Sequence, residues 1–207
     1  MKLFLASEAK NPASIKKLEE FVVGFDGKTI AYIPTAANGQ GWESWKEGGS
    51  WSTVNSLGAQ VSLVLLEDCV SQDVIQQIEG KDIVWFAGGM AGYLLYWIRR
   101  SELDKNLSRI LHHSIYIGSS AGSMIAGNSL DIAEWYPGDQ EVGASIFPGL
   151  RLVDFDIYPH YEESMLEVIN NNYKGNKLYL LKNGEEIIVE DQKIEVIGEE
   201  RIVGSHL

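Results

Sequence analysis

The strongest constraint on the fold is a repeated alternation of a short apolar run with a longer stretch whose apolar residues fall three and four apart. The runs are Lys2 to Ala6, Thr29 to Pro34, Val61 to Leu66, Ile83 to Ala87 and Ile115 to Gly118. The stretches between them carry Ile15, Leu18, Phe21 and Val22, then Trp45 to Leu57, then Val74, Ile75 and Ile78, then Leu94 to Leu111. Nearly continuous Ile, Val, Leu and Phe suits strands covered on both faces, and the helical stretches supply the crossovers that parallel strands need. An α/β three-layer sandwich with a mainly parallel sheet is the expected architecture.

After Asp154 the runs shorten. Leu178 to Leu181, Glu186 to Glu190, Lys193 to Ile197 and Arg201 to Val203 are separated by Asn183-Gly184, Asp191-Gln192 and Gly198-Glu199, which predicts a small C-terminal antiparallel meander at an edge. No repeat or Pro-rich linker interrupts the chain, so residues 1–207 are expected to form one domain.

Charge and cysteine usage narrow the function. With 17 Lys and Arg against 29 Asp and Glu, the net charge is -12, and no basic stripe opposes that field, so nucleic acid is not an expected partner. No uncharged apolar run reaches the length of a membrane span, and Met1 to Ser7 reads as a strand rather than a signal-peptide core. One cysteine, Cys69, permits neither an intramolecular disulfide nor a Cys-rich metal site, and fits a reducing compartment; the expected location is the cytoplasm. Gly88-Gly89-Met90-Ala91-Gly92 is not a dinucleotide fingerprint and no phosphate loop is present, so no cofactor is expected.

The segment Ile115 to Gly127 carries the most chemistry. An apolar strand runs into Gly118-Ser119-Ser120-Ala121-Gly122, a Gly-x-Ser-x-Gly pattern followed by a helix-compatible stretch. That order suits a nucleophile elbow, which lifts Ser120 to the carboxyl edge of the sheet and leaves the Ala121 amide and a helix N-terminus to stabilise an oxyanion. The plainer alternative is a close helix–strand contact with Ser120 as N-cap. Of four histidines, His112 and His113 suit a solvated helix end and His206 a chain terminus, whereas His160 follows a strand stopped by Pro159. It is the candidate base. A second glycine corner, Ala87-Gly88-Gly89, leaves a backbone amide at the same edge, where α/β proteins bind ligands. The Gly-rich stretch with Trp42, Trp45 and Trp51 suits either a lid or the apolar face of the next helix.

In their order along the chain these segments resemble the S51 serine peptidases, the peptidase E group that includes dipeptidase E and the cyanophycinases. The resemblance rests on the N-terminal strand, Ile33-Pro34-Thr35-Ala36, the Gly88-Gly89 turn, the Gly-x-Ser-Ala-Gly pattern at Ser120, and Pro159-His160-Tyr161 after Leu152-Val153-Asp154-Phe155. It implies a fold like the class I glutamine amidotransferases, Ser120 as nucleophile, His160 as base, and an oxyanion hole from the amides of Gly88 or Gly89 and Ala121. A third member, an acid about fifteen residues after the serine, falls by spacing on Glu134, with Asp139 second. Two departures stand out: Met90-Ala91 replaces the family's Asn-Thr, and no basic residue follows His160 before Lys174. The expected function is a serine peptidase acting on a small peptide substrate, with a catalytically impaired binding module as the alternative. A homodimer is compatible with either.

Overall fold

The computed structural model describes residues 1–68 and 70–204; Cys69 and His206 lie outside the described residues. Strands β1 (Lys2–Ala6), β2 (Thr29–Ile33), β3 (Gln60–Leu63), β4 (Ile83–Phe86) and β5 (Ile115–Ser119) match the five apolar runs. They pair in parallel in the order β3-β2-β4-β5-β1. Side chains alternate across the sheet, as pleating requires. Phe4, Ala6, Ile30, Tyr32, Ile83, Trp85 and Ile117 enter one core beneath α1 (Pro12–Val22). Leu3, Leu5, Ala31, Ile33, Val84, Phe86 and Tyr116 enter the other. That second core lies beneath α4 (Ser71–Ile78), α5 (Ala91–Arg100) and α6 (Leu103–Ile110), so helices cover both faces. Two shorter helices complete this half of the chain, α2 (Thr35–Asn38) and α3 (Gly49–Asn55).

Two features differ in detail from the sequence reading. The Leu94 to Leu111 pattern divides into α5 and α6 because Glu102 takes a left-handed conformation, φ 55°, between them. The C-terminal strands separate into two sheets. β8 (Glu186–Glu190) lies antiparallel against β1, and β9 (Lys193–Ile197) against β8, extending the main sheet to seven strands. β7 (Leu178–Leu180) instead joins β6 (Asp156–Tyr158) in parallel and β10 (Ile202–Val203) antiparallel. Asn183-Gly184 therefore turns the chain from one sheet to the other. Between β5 and β6 lie α7 (Ala121–Met124) and α8 (Asp131–Trp135), and α9 (Leu166–Asn172) precedes β7.

Among the described residues, no helix is long and apolar enough to cross a membrane, and no group of three or more His, Cys, Asp or Glu side chains is placed to hold a metal ion.

Candidate active site

Three parallel strands, β1, β4 and β5, end at one edge of the main sheet, and the serine sits there. Between β5 and α7, Ser120 adopts φ 49° and ψ -110°, a conformation that costs an L-residue of order 1 kcal/mol or more. Its backbone is fixed on both sides: Ser120 N–H donates to Ala6 C=O at 3.0 Å, and Ser120 C=O accepts from Ser123 and Met124 at 2.8 and 3.0 Å. Gly122 makes the turn possible, because a Cβ there would overlap the Phe86 carbonyl of β4. The neighbouring hydroxyls are used structurally. Ser119 Oγ accepts from Ala9 N–H at 3.0 Å and Ser123 Oγ donates to Ala6 C=O at 2.7 Å.

The second sheet brings the histidine. Beyond the ends of parallel β6 and β7, Tyr161 N–H donates to Leu181 C=O at 2.9 Å, which keeps the two segments side by side. His160 there has φ 51°, and its N–H donates to Ser7 Oγ, just past β1, at 2.8 Å. Tyr136 Oη donates to Pro159 C=O at 2.9 Å and holds the same loop from the other side. Burial pushes the Tyr136 phenol well above its ordinary range, so it remains a donor. Held this way, the His160 ring lies with Nε2 3.0 Å from Ser120 Oγ and Nδ1 2.5 Å from Asn183 Oδ1.

The remaining expected residues divide. Gly88 and Gly89, past the end of β4, line the same cavity as Ser120 and His160. Gly89 needs its missing side chain: φ is 134° and a Cβ would overlap the backbone of Ala36. Among the described residues, the amides of Gly88, Gly89 and Ala121 donate to no other group of the chain. Glu134 is turned elsewhere. Its carboxylate accepts from Ser145 N–H at 2.9 Å and Ser145 Oγ at 2.5 Å, bonds that hold its pKa below the ordinary value. Asp139 lines the cavity but makes no hydrogen bond to His160 among the described residues. The Nδ1 position belongs instead to Asn183, which the sequence presents only as half of a turn.

The cavity has a volume of about 270 Å³. Trp45, only 7% exposed, and Tyr136 supply aromatic wall, and Trp45 rests edge-on against Trp51 at 5.3 Å. Trp42 stands out in solvent, so of the tryptophan cluster one ring faces the cavity and one packs behind it. Charge comes from Glu8, Asp139, Glu141 and Lys10, whose Nζ lies 3.5 Å from Glu8 Oε1. Glu141 is partly committed, since it accepts from Tyr93 N–H at 3.1 Å at the start of α5; burial raises its pKa. His112 and His113 are exposed, their rings 6.4 Å apart in the turn after α6.

Comparison with known proteins shows the family and the fold. The model of peptidase family S51 matches residues 3–197. The chain belongs to peptidase family S51. It is thus a serine-type peptidase hydrolase. An uncharacterized peptidase of Listeria monocytogenes is 27% identical over 199 residues, covering 93% of this chain and 96% of that protein. A peptidase E of Haemophilus influenzae is 25% identical over 194 residues, 88% of this chain and 84% of its own length. In three dimensions a crystallised peptidase E protein of Listeria monocytogenes superposes with a TM-score of 0.81 at 25% identity, over 95% of this chain and 97% of that one. A peptidase from an acI-B1 Actinobacterium shares the fold, with a TM-score of 0.70 at 17% identity over 99% and 94% of the two chains.

Proposed function

We propose that this S51 peptidase hydrolyses short peptides in the cytoplasm through an acyl-enzyme on Ser120, with His160 as general base and then general acid. The observation that carries the reading is the serine in its strained strand-to-helix turn with Oγ 3.0 Å from His160 Nε2. Such a pair lets Nε2 take the Oγ proton as Oγ bonds to the scissile carbonyl carbon. The same proton then goes to the departing amine as the C–N bond breaks. Water repeats the sequence against the ester, which releases the acid and restores the serine hydroxyl. The amides of Ala121 and of Gly88 or Gly89 suit the oxyanion, because no chain acceptor competes for them among the described residues. A cavity of about 270 Å³ lies at the small end of ligand sites, which favours a short peptide.

The experiment is labelling with a fluorophosphonate probe, together with dipeptide hydrolysis. Labelling of the unaltered protein at Ser120, and a loss of about 10⁴-fold or more in kcat for Ser120→Ala, are expected. Most activity surviving in Ser120→Ala would remove Ser120 from the mechanism, and an unlabelled, inactive wild type would favour the binding-module reading.

A further inference from the structure

We propose that Glu67 is a positioning residue for the turn that presents the Gly88 and Gly89 amides: from outside the catalytic cavity, its carboxylate clamps α2, the segment against which that turn is set. The proposal rests on the reading of Ser120 as nucleophile and of one of these amides as an oxyanion donor. Glu67 lines a separate hollow, beside Trp97 and Arg100, and does not border the cavity that holds Ser120.

The turn does not fix itself. Successive glycines leave the backbone angles free of side-chain constraint, and Gly89, at φ 134°, sits where glycine alone is at ease. What fixes the turn is the segment from β2 into α2. Ala87 N–H donates to Ile33 C=O at 3.0 Å before the glycines, Met90 N–H donates to Ala36 C=O at 2.9 Å after them, and the Ala36 backbone lies directly against Gly89. α2 has only four residues, too few to be stable alone, and no side chain caps its start. Glu67 reaches both of its ends. Oε2 accepts from Thr35 Oγ1 at 2.8 Å and Oε1 accepts from Asn38 Nδ2 at 2.9 Å, so one carboxylate spans the first and last residues of the helix. Both partners are oriented for it. Oγ1 of the fully buried Thr35 accepts the Leu66 N–H at 3.2 Å, and Asn38 Oδ1 accepts the Glu43 N–H at 2.9 Å, which turns the amide nitrogen toward Glu67. Tyr93, in the first turn of α5 just beyond the glycines, faces the same carboxylate.

The consequence is a split between binding and chemistry. Ground-state peptide binding draws on the cavity walls, whereas an oxyanion forms only as Oγ bonds to the carbonyl carbon, so an amide aimed wrongly costs turnover more than affinity. Without the carboxylate, the buried Thr35 hydroxyl and Asn38 amide lose their acceptor, and α2 loosens between its ends. The turn then loses the surface and the Ala36 carbonyl that set its direction. Serine at position 35 keeps the hydroxyl donor, and valine there keeps the shape without it.

The first measurement does not depend on turnover. In the full chain, hydrogen exchange of the Met90 amide reports the bond to Ala36 C=O, and Glu67→Ala should speed it about tenfold or more while the β4 amides change less than about threefold. Unchanged Met90 exchange, or a rise shared equally by β4, would overturn the proposal. On a dipeptide, with active sites counted by fluorophosphonate labelling, Glu67→Ala and Thr35→Val should each lower kcat about tenfold or more with KM changed less than about threefold, and Thr35→Ser should keep kcat within about threefold. Binding of a dipeptide aldehyde, whose carbonyl oxygen becomes an oxyanion as Ser120 Oγ bonds to its carbon and His160 takes the proton, should weaken in step with kcat. The double variant should lose no more than about threefold beyond the worse single one, because both act through α2. Wild-type kcat per labelled site in Glu67→Ala, or a loss confined to KM, also overturns the proposal. If Glu67→Ala does not fold, Thr35→Val against Thr35→Ser decides on the same readouts. A wild type that hydrolyses no dipeptide and resists the fluorophosphonate would instead defeat the hydrolase reading, and Met90 exchange would still test the clamp.

Discussion

Raising the pH from 5 to 8 should destabilise this protein through one carboxyl, Glu186, and the size of the effect follows from its surroundings. Glu186 opens β8, directly opposite Ala6 of β1, and is fully buried. Oε2 accepts from Ser14 Oγ at 2.8 Å, while Oε1 has no partner among the described residues. Burial pushes its pKa from the ordinary 4.5 to about 7, with the Ser14 hydrogen bond and Lys17 opposing and Glu185 adding to the rise. Below pH 4.5 the group is protonated in folded and unfolded chains alike and contributes nothing. Between 4.5 and 7 the unfolded chain gives up the proton that the folded chain retains, so stability falls; above 7 the loss is constant. A difference of about 2.5 units corresponds to about 3 kcal/mol in full, of which about 2.5 kcal/mol develops between pH 5 and pH 8. Other groups titrate in that window, and the Glu186→Gln variant separates them. The amide does not ionise, so any cost of fitting it is the same at every pH and drops out of the slope. Urea unfolding of both proteins at pH 5, 6, 7 and 8 gives two curves whose difference should change by about 2 to 3 kcal/mol. Parallel curves, within about 0.5 kcal/mol, would show that Glu186 ionises equally in both states and would refute the reasoning.

Two further outcomes are expected. Because Glu134 is turned to Ser145 and Asp139 makes no hydrogen bond to His160 among the described residues, Glu134→Gln and Asp139→Asn should each lower kcat less than about tenfold; a larger loss in either, measured on a dipeptide, would place that acid in the proton path. The cavity holds Glu8, Asp139 and Glu141 against Lys10, which already faces Glu8, so an anionic side chain should bind poorly; kcat/KM for Lys-Leu and Leu-Leu should exceed that for Asp-Leu at fixed ionic strength, and a preference of about tenfold for Asp-Leu would mean that Lys10 leaves Glu8 for the substrate.

The parts legible in the sequence are those governed by local pattern. The five parallel strands read as apolar runs because both of their faces are covered, and the turn at Ser120 reads from the glycine at 122 that the Phe86 carbonyl demands. His160 stands out because a proline-stopped strand puts an imidazole at a strand end, and its Nε2 lies 3.0 Å from Ser120 Oγ. That Asn183, rather than Glu134 or Asp139, is hydrogen-bonded to His160 Nδ1 is not legible in the sequence, for two reasons. Spacing along the chain carries no information about direction, and Glu134, at the right count from Ser120, lies on a helix that points it to Ser145. Asn183 precedes a glycine, the commonest signature of a hairpin turn, so its local pattern describes a role in chain reversal. Its proximity to His160 comes from parallel pairing of β6 with β7, a contact between segments about twenty residues apart that antiparallel spacing rules do not anticipate. The division of the C-terminal strands between two sheets was hidden by the same pairing.

The placement of β1 has a consequence for the order in which the protein comes into being. This first strand lies between β5 and β8, and the Ser120 amide hangs from its last carbonyl, at Ala6. Along the sequence the serine turn precedes the segments that carry His160 and then Asn183, and the strand that closes the second edge of β1, β8, comes later still. A nascent chain therefore carries the serine without its histidine. On the proposed mechanism, the Ser120–His160 pair can form only once the last third of the polypeptide has emerged and docked.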